Sequence, residues 1–509
     1  MARLRAVLFG AAASSLVASC AVGPDYSPPQ PPLPAIFAAA AAVKGTDERR
    51  SSRVAETTKW WRTLHDRQLD ALIDRAIAAS PTLEIALDRV QQARAQEAVV
   101  IGAALPLVEG TEGGALGTGS DLARGRAAQT LVSADTGTGI NQIGNLAGFA
   151  AAWELDVFGK YRRAIEAAQY DVEAAMAARN VVLISLIADV ARAYFDLRAL
   201  QMRLLVLRKD IVVAQAYVDF VEERFNRGIT DELDVTLAQR QLAELQAEIA
   251  PLQARINAAR YVIAVLIGEF PENLGQELAR PGMLPALPRR IRSGLPIDLL
   301  RHRPDIAEAE RQLASATAVI GIATADLFPQ IAVTAAFGNQ QALGGGVPVN
   351  PIWSVGPAVA APLLDFGRLD AVVQKTDFRA RELLFNYKQT VLNAVREVDT
   401  AAEAYAAQQN RLRHLADALK AARRAVTLAT ERFDRGLIDS LNVIDAQRQE
   451  YDIEQQYISA QASAAEQLVT LYKSLGSGWE DYQIFPPIPP PLPAVAAAFK
   501  SLLRPGAAP

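Results

Sequence analysis

The feature that most restricts the fold of this chain is a pair of very long helix signals that repeat each other. Residues 223–241 read ERFNRGITDELDVTLAQRQ and residues 431–449 read ERFDRGLIDSLNVIDAQRQ, identical at 12 of 19 positions and 208 residues apart. The same spacing superposes Phe158-Gly159-Lys160 on Phe366-Gly367-Arg368, while a second spacing of 223 sets Pro81 on Pro304 and Pro106 on Pro329. The chain is therefore two copies of one unit of about 200 residues. The difference of 15 between the spacings is an insertion between Pro106 and Phe158.

Residues 161–250 contain no Pro and only one Gly, Gly228, and residues 369–475 contain no Pro and only Gly436. An unbroken 3,4 spacing of apolar residues runs through the first copy from Leu183 and Leu186 by way of Val190, Leu197, Leu204, Ile211 and Val218 to Phe225. Its counterpart runs from Val391 to Phe433 with one polar exception, Gln408. A sustained seven-residue repeat predicts coiled-coil packing. At about 1.5 Å per residue, residues 161–227 would form a rod roughly 100 Å long. The rod turns at Gly228 or Gly436 and returns. Repeat 1 (60–280) is thus expected to hold helices near 161–227 and 231–268, and repeat 2 (281–479) helices near 369–435 and 439–475. Taken alone, this signal also fits a soluble spectrin-like bundle.

Shorter segments switch to a period of two. Ile331, Val333, Ala335 and Phe337 alternate with small or polar residues, as do Trp353, Val355, Val359 and Leu363 further on, and Phe149, Ala151, Trp153 and Leu155 in copy one. One face is apolar with aromatics and the other small or polar, the alternation of a barrel strand between lipid and lumen. A half-buried soluble hairpin alternates in the same way. The pattern predicts β-hairpins within 105–157 and 328–365, the strand after Leu105 being placed by repeat symmetry alone. Four strands cannot stand as an open sheet in a bilayer, where every backbone polar group needs a partner. A membrane reading therefore demands self-assembly, as a dimer of 8 strands, a trimer of 12, or more.

The N-terminus carries Arg3 and Arg5, an apolar stretch over 6–17 and then Val17-Ala18-Ser19-Cys20, with no other cysteine in the chain. This layout predicts a signal peptide over 1–19. Cys20 is read as the lipid-attachment residue of a lipobox, the alternative being a stray cysteine beside an ordinary cleavage site. An extended, Pro-rich tail follows over 20–59, and a second occupies 480–509. The net charge of −4 and the absence of a Lys/Arg block argue against a nucleic-acid surface. His65, His302 and His414 are scattered, and no nucleophile elbow or phosphate loop is present. No catalytic residue, metal ligand or cofactor is expected. Arg301-His302-Arg303 reads as a polar helix start.

These residues together resemble the TolC-like outer-membrane efflux family, and within it the lipid-anchored branch that serves resistance-nodulation-division pumps. The resemblance rests on Cys20 with Val22-Gly23-Pro24-Asp25-Tyr26, Trp60-Trp61, residues 153–160, Arg303-Pro304-Asp305-Ile306, both hairpin turns, and Asp445-Ala446-Gln447-Arg448. It covers nearly the whole chain after Cys20, departing in the Gly-rich segment 110–148. It implies an α+β membrane protein in which a homotrimer forms a 12-stranded outer-membrane β-barrel and a periplasmic α-helical tunnel. It implies a passive exit duct for drugs or other small molecules that docks, at the turns around Gly228 and Gly436, onto a periplasmic adaptor and an inner-membrane transporter. An exit duct for type I protein secretion and a periplasmic coiled-coil scaffold are the competing readings.

The tips concentrate acidic residues. Asp231 and Asp439 follow the turn glycines by three residues, where they are expected to cap the returning helices. Asp234 and Asp445 are read as lying deeper in those helices. By resemblance, Asp234, Asn442 and Asp445 fall at the periplasmic constriction, with Arg227 and Arg435 as the nearest compensating cations. Rings of carboxylates about an axis would raise one another's pKa values and favour cations. For the anchor, Cys20→Ser is expected to abolish metabolic labelling by radiolabelled fatty acid, and undiminished labelling would refute the lipid attachment.

Overall fold

The computed structural model describes residues 21–29, 58–117, 142–274, 277–288, 303–343 and 350–482. The proposed signal peptide, Cys20, most of the two Pro-rich tails, His302 and the core of the Gly-rich insertion lie outside the described residues. Repeat 1 contains α1 (Arg67–Ala79), α2 (Pro81–Ala103), β1 (Leu107–Gly117), β2 (Gln142–Leu155), α3 (Lys160–Asn226), α4 (Glu232–Ala247) and α5 (Ile249–Leu266). Repeat 2 contains α6 (Pro304–Ala325), β3 (Gln330–Leu343), β4 (Asn350–Ala360), α7 (Arg368–Asp434) and α8 (Ser440–Ser474).

The two rods, α3 and α7, are each 67 residues long. Along α3 the heptad residues Leu183, Leu186, Val190, Leu197, Leu204, Leu207, Val218 and Val221 are buried. Removing such a side chain from a packed core costs about 2–5 kcal/mol. Although α3 is long and apolar enough by composition to cross a membrane, its apolar stripe is spent on this core. At each rod's far end the chain closes a Schellman motif, which satisfies carbonyls that a helix end leaves open. The Ile229 amide donates to the Arg224 carbonyl and the Gly228 amide to Phe225; Leu437 and Gly436 do the same to Arg432 and Phe433. Both glycines sit at φ +71°.

The returning helix of repeat 1 differs from the single helix expected over 231–268. It divides at Glu248, between α4 and α5. Pro251 has no N–H to offer the carbonyl of Ala247, four residues back, and α4 ends at that residue. Repeat 2 has no such proline, and α8 is continuous.

The four strands form one antiparallel sheet in the order β1-β2-β3-β4. The sequence spacings of 223 and 208 hold within it to the residue. Leu107 faces Ala152 across β1 and β2, and their counterparts Gln330 and Ala360 face each other across β3 and β4. Phe149, Phe337 and Trp353 lie in one row across three strands, and all three are exposed. Six residues separate this row from Leu155, about 20 Å at ~3.3 Å per residue, which matches an apolar band about 25 Å tall in an outer-membrane barrel.

Buried arginines pin two junctions of the chain, one beside the sheet and one at the far end of α6. Arg303 is no mere polar helix start: buried at the N-terminus of α6, it pairs with Asp305 at 2.7 Å and Glu397 at 2.9 Å and donates to the carbonyl of Ser474. It therefore ties α6 to α7 and to the end of α8. Arg163, also buried, holds the N-terminal tail, donating to the carbonyls of Val22 and Gly23 and pairing with Asp25 at 2.6 Å. Gly23, at φ +95°, passes so close to Gly321 that a Cβ would lie 2.4 Å from its Cα. Tyr26 donates to Glu310 and packs edge-on against Tyr170, and burial pushes its hydroxyl pKa well above the usual range.

Of the two expected caps, only one forms. Asp231 accepts from the Asp234 amide, whereas the side chain of Asp439 makes no cap bond. Asp231→Ala is therefore expected to weaken the first turn of α4 by about 0.5–2 kcal/mol and Asp439→Ala to leave α8 nearly unchanged. Hydrogen exchange at the Asp234 and Asn442 amides would show the difference, and equal acceleration at both would contradict this account.

Candidate functional site at the hairpin tips

The tip residues singled out by sequence do not behave as one group. Asp234 is the third residue of α4, still in its first turn, rather than beyond it as the spacing suggested. Its two carboxylate oxygens accept from the hydroxyls of Thr230 and Ser440. Ser440 opens α8 of repeat 2 and is buried, so one carboxylate links the two hairpins of the chain. Tyr217, from α3, reaches the backbone carbonyl of the same serine at 3.3 Å, and burial raises its hydroxyl pKa to about 12. Phe433 is buried beneath this link, edge-on to Phe220 at 6.0 Å, with the Arg224 guanidinium 4.8 Å from its ring centre. A charge-assisted hydrogen bond to a hydroxyl in such a half-enclosed place contributes about 1.5–3 kcal/mol.

Asn442, which occupies the position of Asp234 in the second copy, is exposed and only reaches the Asp439 carbonyl at 3.5 Å. Asp445 is exposed on α8, where Gln449 donates to it at 3.2 Å. Arg227 pairs with Glu223 of its own helix instead of with Asp234. Arg435 lies at the turn, with no ion pair among the described residues. The tip thus holds two kinds of acid: Asp234, occupied between hairpins, and Asp445, which is free to face another body.

Around the turn glycines the surface is apolar. Ile229 and Leu233 in repeat 1 and their counterparts Leu437 and Leu441 in repeat 2 are all exposed. The sequence reading passed over these four. Their signal was the presence of large aliphatics in helix first turns and just after a Gly, where solvated tips ordinarily carry polar residues. It also passed over Asp210 on α3, which burial pushes up to about 6, near Glu450 and Glu454 that share Arg423.

The model of the outer membrane efflux protein family matches residues 72–269 and 295–477, which lie in the two repeats. Among characterised relatives, Nodulation protein T of Rhizobium leguminosarum bv. viciae is 31% identical, covering 90% of this chain and 89% of its own length. The toluene efflux pump outer membrane protein TtgI of Pseudomonas putida is 30% identical over 91% of this chain and 96% of itself. Among solved structures, the outer-membrane channel OprN superposes with a TM-score of 0.79 at 33% identity, covering 90% of this chain and 100% of that one. Kinship over both repeats sets aside the periplasmic scaffold, because the sheet and the rods belong together in a channel. With the internal repeat, the open four-stranded sheet and the paired rods on one side and these relatives on the other, the chain belongs to the outer membrane efflux protein family and is an outer-membrane channel subunit, the passive exit duct of an efflux system.

Proposed function

We propose that three copies close a 12-stranded barrel continued by a helical tunnel, anchored through acylated Cys20, which passes drugs or other small molecules delivered by an inner-membrane transporter. The carrying observation is a four-stranded sheet with lipid-suited aromatics on one face, both outer edges unpaired among the described residues, and rods about 100 Å long beneath it. Open edges cannot persist in hydrocarbon, and twelve strands fall within the range of outer-membrane barrels. Tail residues 21–26, held against the strand–helix junction, suit an anchor whose acyl chains start at the barrel's inner rim.

The tips take two roles in this proposal. Exposed Ile229, Leu233, Leu437 and Leu441, around Gly228 and Gly436, form the apolar surface on which a periplasmic adaptor docks. The acids form the gate. The Asp234–Ser440 link holds the two hairpins of one chain together in the closed tip, while Asp445, with Asn442 and Arg435, lines the constriction.

Single-channel recording separates these parts. Ser440→Ala keeps every carboxylate but breaks the link, and is expected to raise the resting open fraction while leaving divalent-cation block unchanged. Asp445→Ala is expected to weaken that block and lower cation selectivity. If the Asp234→Ala, Asp445→Ala double variant conducts, selects and blocks as the parent does, the gate lies elsewhere.

A further inference from the structure

Two shorter helices, α6 and α8, meet end to end in the slot between the rods. Arg303 at the start of α6 donates to the carbonyl of Ser474 at the end of α8, and both helices pack against α3 and α7. Where they meet, a cavity of about 460 Å³ is walled by all four helices. That volume falls in the range of small-molecule sites.

The walls carry four cations, Arg192, Arg303, Arg396 and Lys473, against two carboxylates, Asp305 and Glu397. Arg303 takes up both carboxylates, at 2.7 and 2.9 Å. The Lys473 ammonium has no ion pair or hydrogen bond among the described residues. Arg396 approaches Glu397 only at 4.0 Å. Arg192 is oriented by a 3.1 Å hydrogen bond to the Thr470 hydroxyl and shares its other end with the half-exposed Asp189 at 3.4 Å. A solvated pair of that kind contributes little. Three helices therefore each bring one under-used cation to a single cavity, which Val181 and Ile184 line as well.

The internal repeat shows that this charge is no requirement of the joint. In copy one the end of α5 meets the start of α2 in the same way, with Gly268 against Ala79 and Pro81. By the spacings of 223 and 208, the positions that match Arg303, Arg396 and Lys473 are Ser80, Ala188 and Val265. One scaffold thus carries a joint that is neutral at these positions and a joint that is cationic.

We propose that the cationic joint binds a small organic anion, its oxyanion head on Lys473, Arg396 and Arg192 and its apolar body on Val181 and Ile184. Hydrogen bonds between ionised partners are the strong ones, and guanidinium forks and a mobile ammonium together suit an oxyanion. The 22 residues of α6 hold the site about 33 Å from the sheet. Membrane headgroups are out of reach there, so the anion comes from solution. Once bound, it bridges α3, α7 and α8. The site is complete within one chain and stands apart from the assembly and the gate proposed above.

Benzoate and benzamide test this, because they share a shape and differ in charge. In saturation-transfer NMR on the purified full-length channel, at fixed ionic strength and with empty micelles subtracted, benzoate is expected to bind saturably and benzamide not. Lys473→Met and Arg396→Met keep their aliphatic stems and are each expected to weaken benzoate binding about tenfold, while Lys473→Arg retains it. Lys420→Met removes an exposed lysine of α7 outside the cavity and is expected to change nothing. Arg396 is exposed, so its variant reads the site even where Lys473→Met disturbs packing. Absence of saturable benzoate binding by the parent, equal binding of benzamide, or undiminished binding by Arg396→Met would overturn the site.

Discussion

Everything in this structure depends on the need of each backbone amide and carbonyl for a partner once water is gone. In hydrocarbon an unpaired edge costs several kcal/mol per group, and a sheet of four strands has two edges. The chain answers with duplication. Two copies of one hairpin give a sheet whose outer strands, β1 and β4, are counterparts of its inner strands β3 and β2. The edges are therefore shaped to receive what the interior already receives. A unit that pairs with its own duplicate inside the chain is complementary to the neighbouring duplicate outside it, and closure needs no new surface.

The same duplication runs down the rods, but there the copies diverge. The heptad stripe of α3 is filled mostly by Leu and Val and largely buried; that of α7 carries Ala, Tyr and Gln in its middle and is more open. A stripe of smaller residues permits closer helix approach and tolerates rearrangement better than a filled core. The tips stay identical at 12 of 19 positions, yet one difference there changes the contacts. One copy places Asp234 where the other places Asn442, and only the first joins the two hairpins. That link is one carboxylate and the hydroxyl of Ser440, the contact that the proposed gate would use to hold the closed tip.

Buried cations organise two junctions, Arg163 where β2 passes into α3 and Arg303 at the end of α6 away from the sheet. Arg303 brings acceptors from three helices to one guanidinium and Arg163 three acceptors of the N-terminal tail, convergence that the planar fork of donors suits. Losing either would strand carboxylates and carbonyls in half-buried sites, at a cost greater than the pair itself contributes.

Much of this was written in local sequence. The absence of Pro, the 3,4 spacing and the lone glycines Gly228 and Gly436 determined the rods and their turns, because helix propagation and left-handed caps depend on neighbouring residues. Alternation determined β2, β3 and β4; their register came only with the folded sheet, which then obeys the repeat spacings. Pro251 carried the break between α4 and α5, since a missing N–H acts four residues away. Strand β1 was not legible from its residues, where Gly110, Gly113 and Gly114 interrupt the alternation; its place comes from pairing with β2. The tertiary structure alone decided the role of Arg303, the docking of the tail on Arg163, the failure of Asp439 to cap, and the meeting of Asp234 with Ser440. Each joins residues far apart in the chain, and no periodicity or spacing records which distant group a charged side chain will meet once the helices have packed.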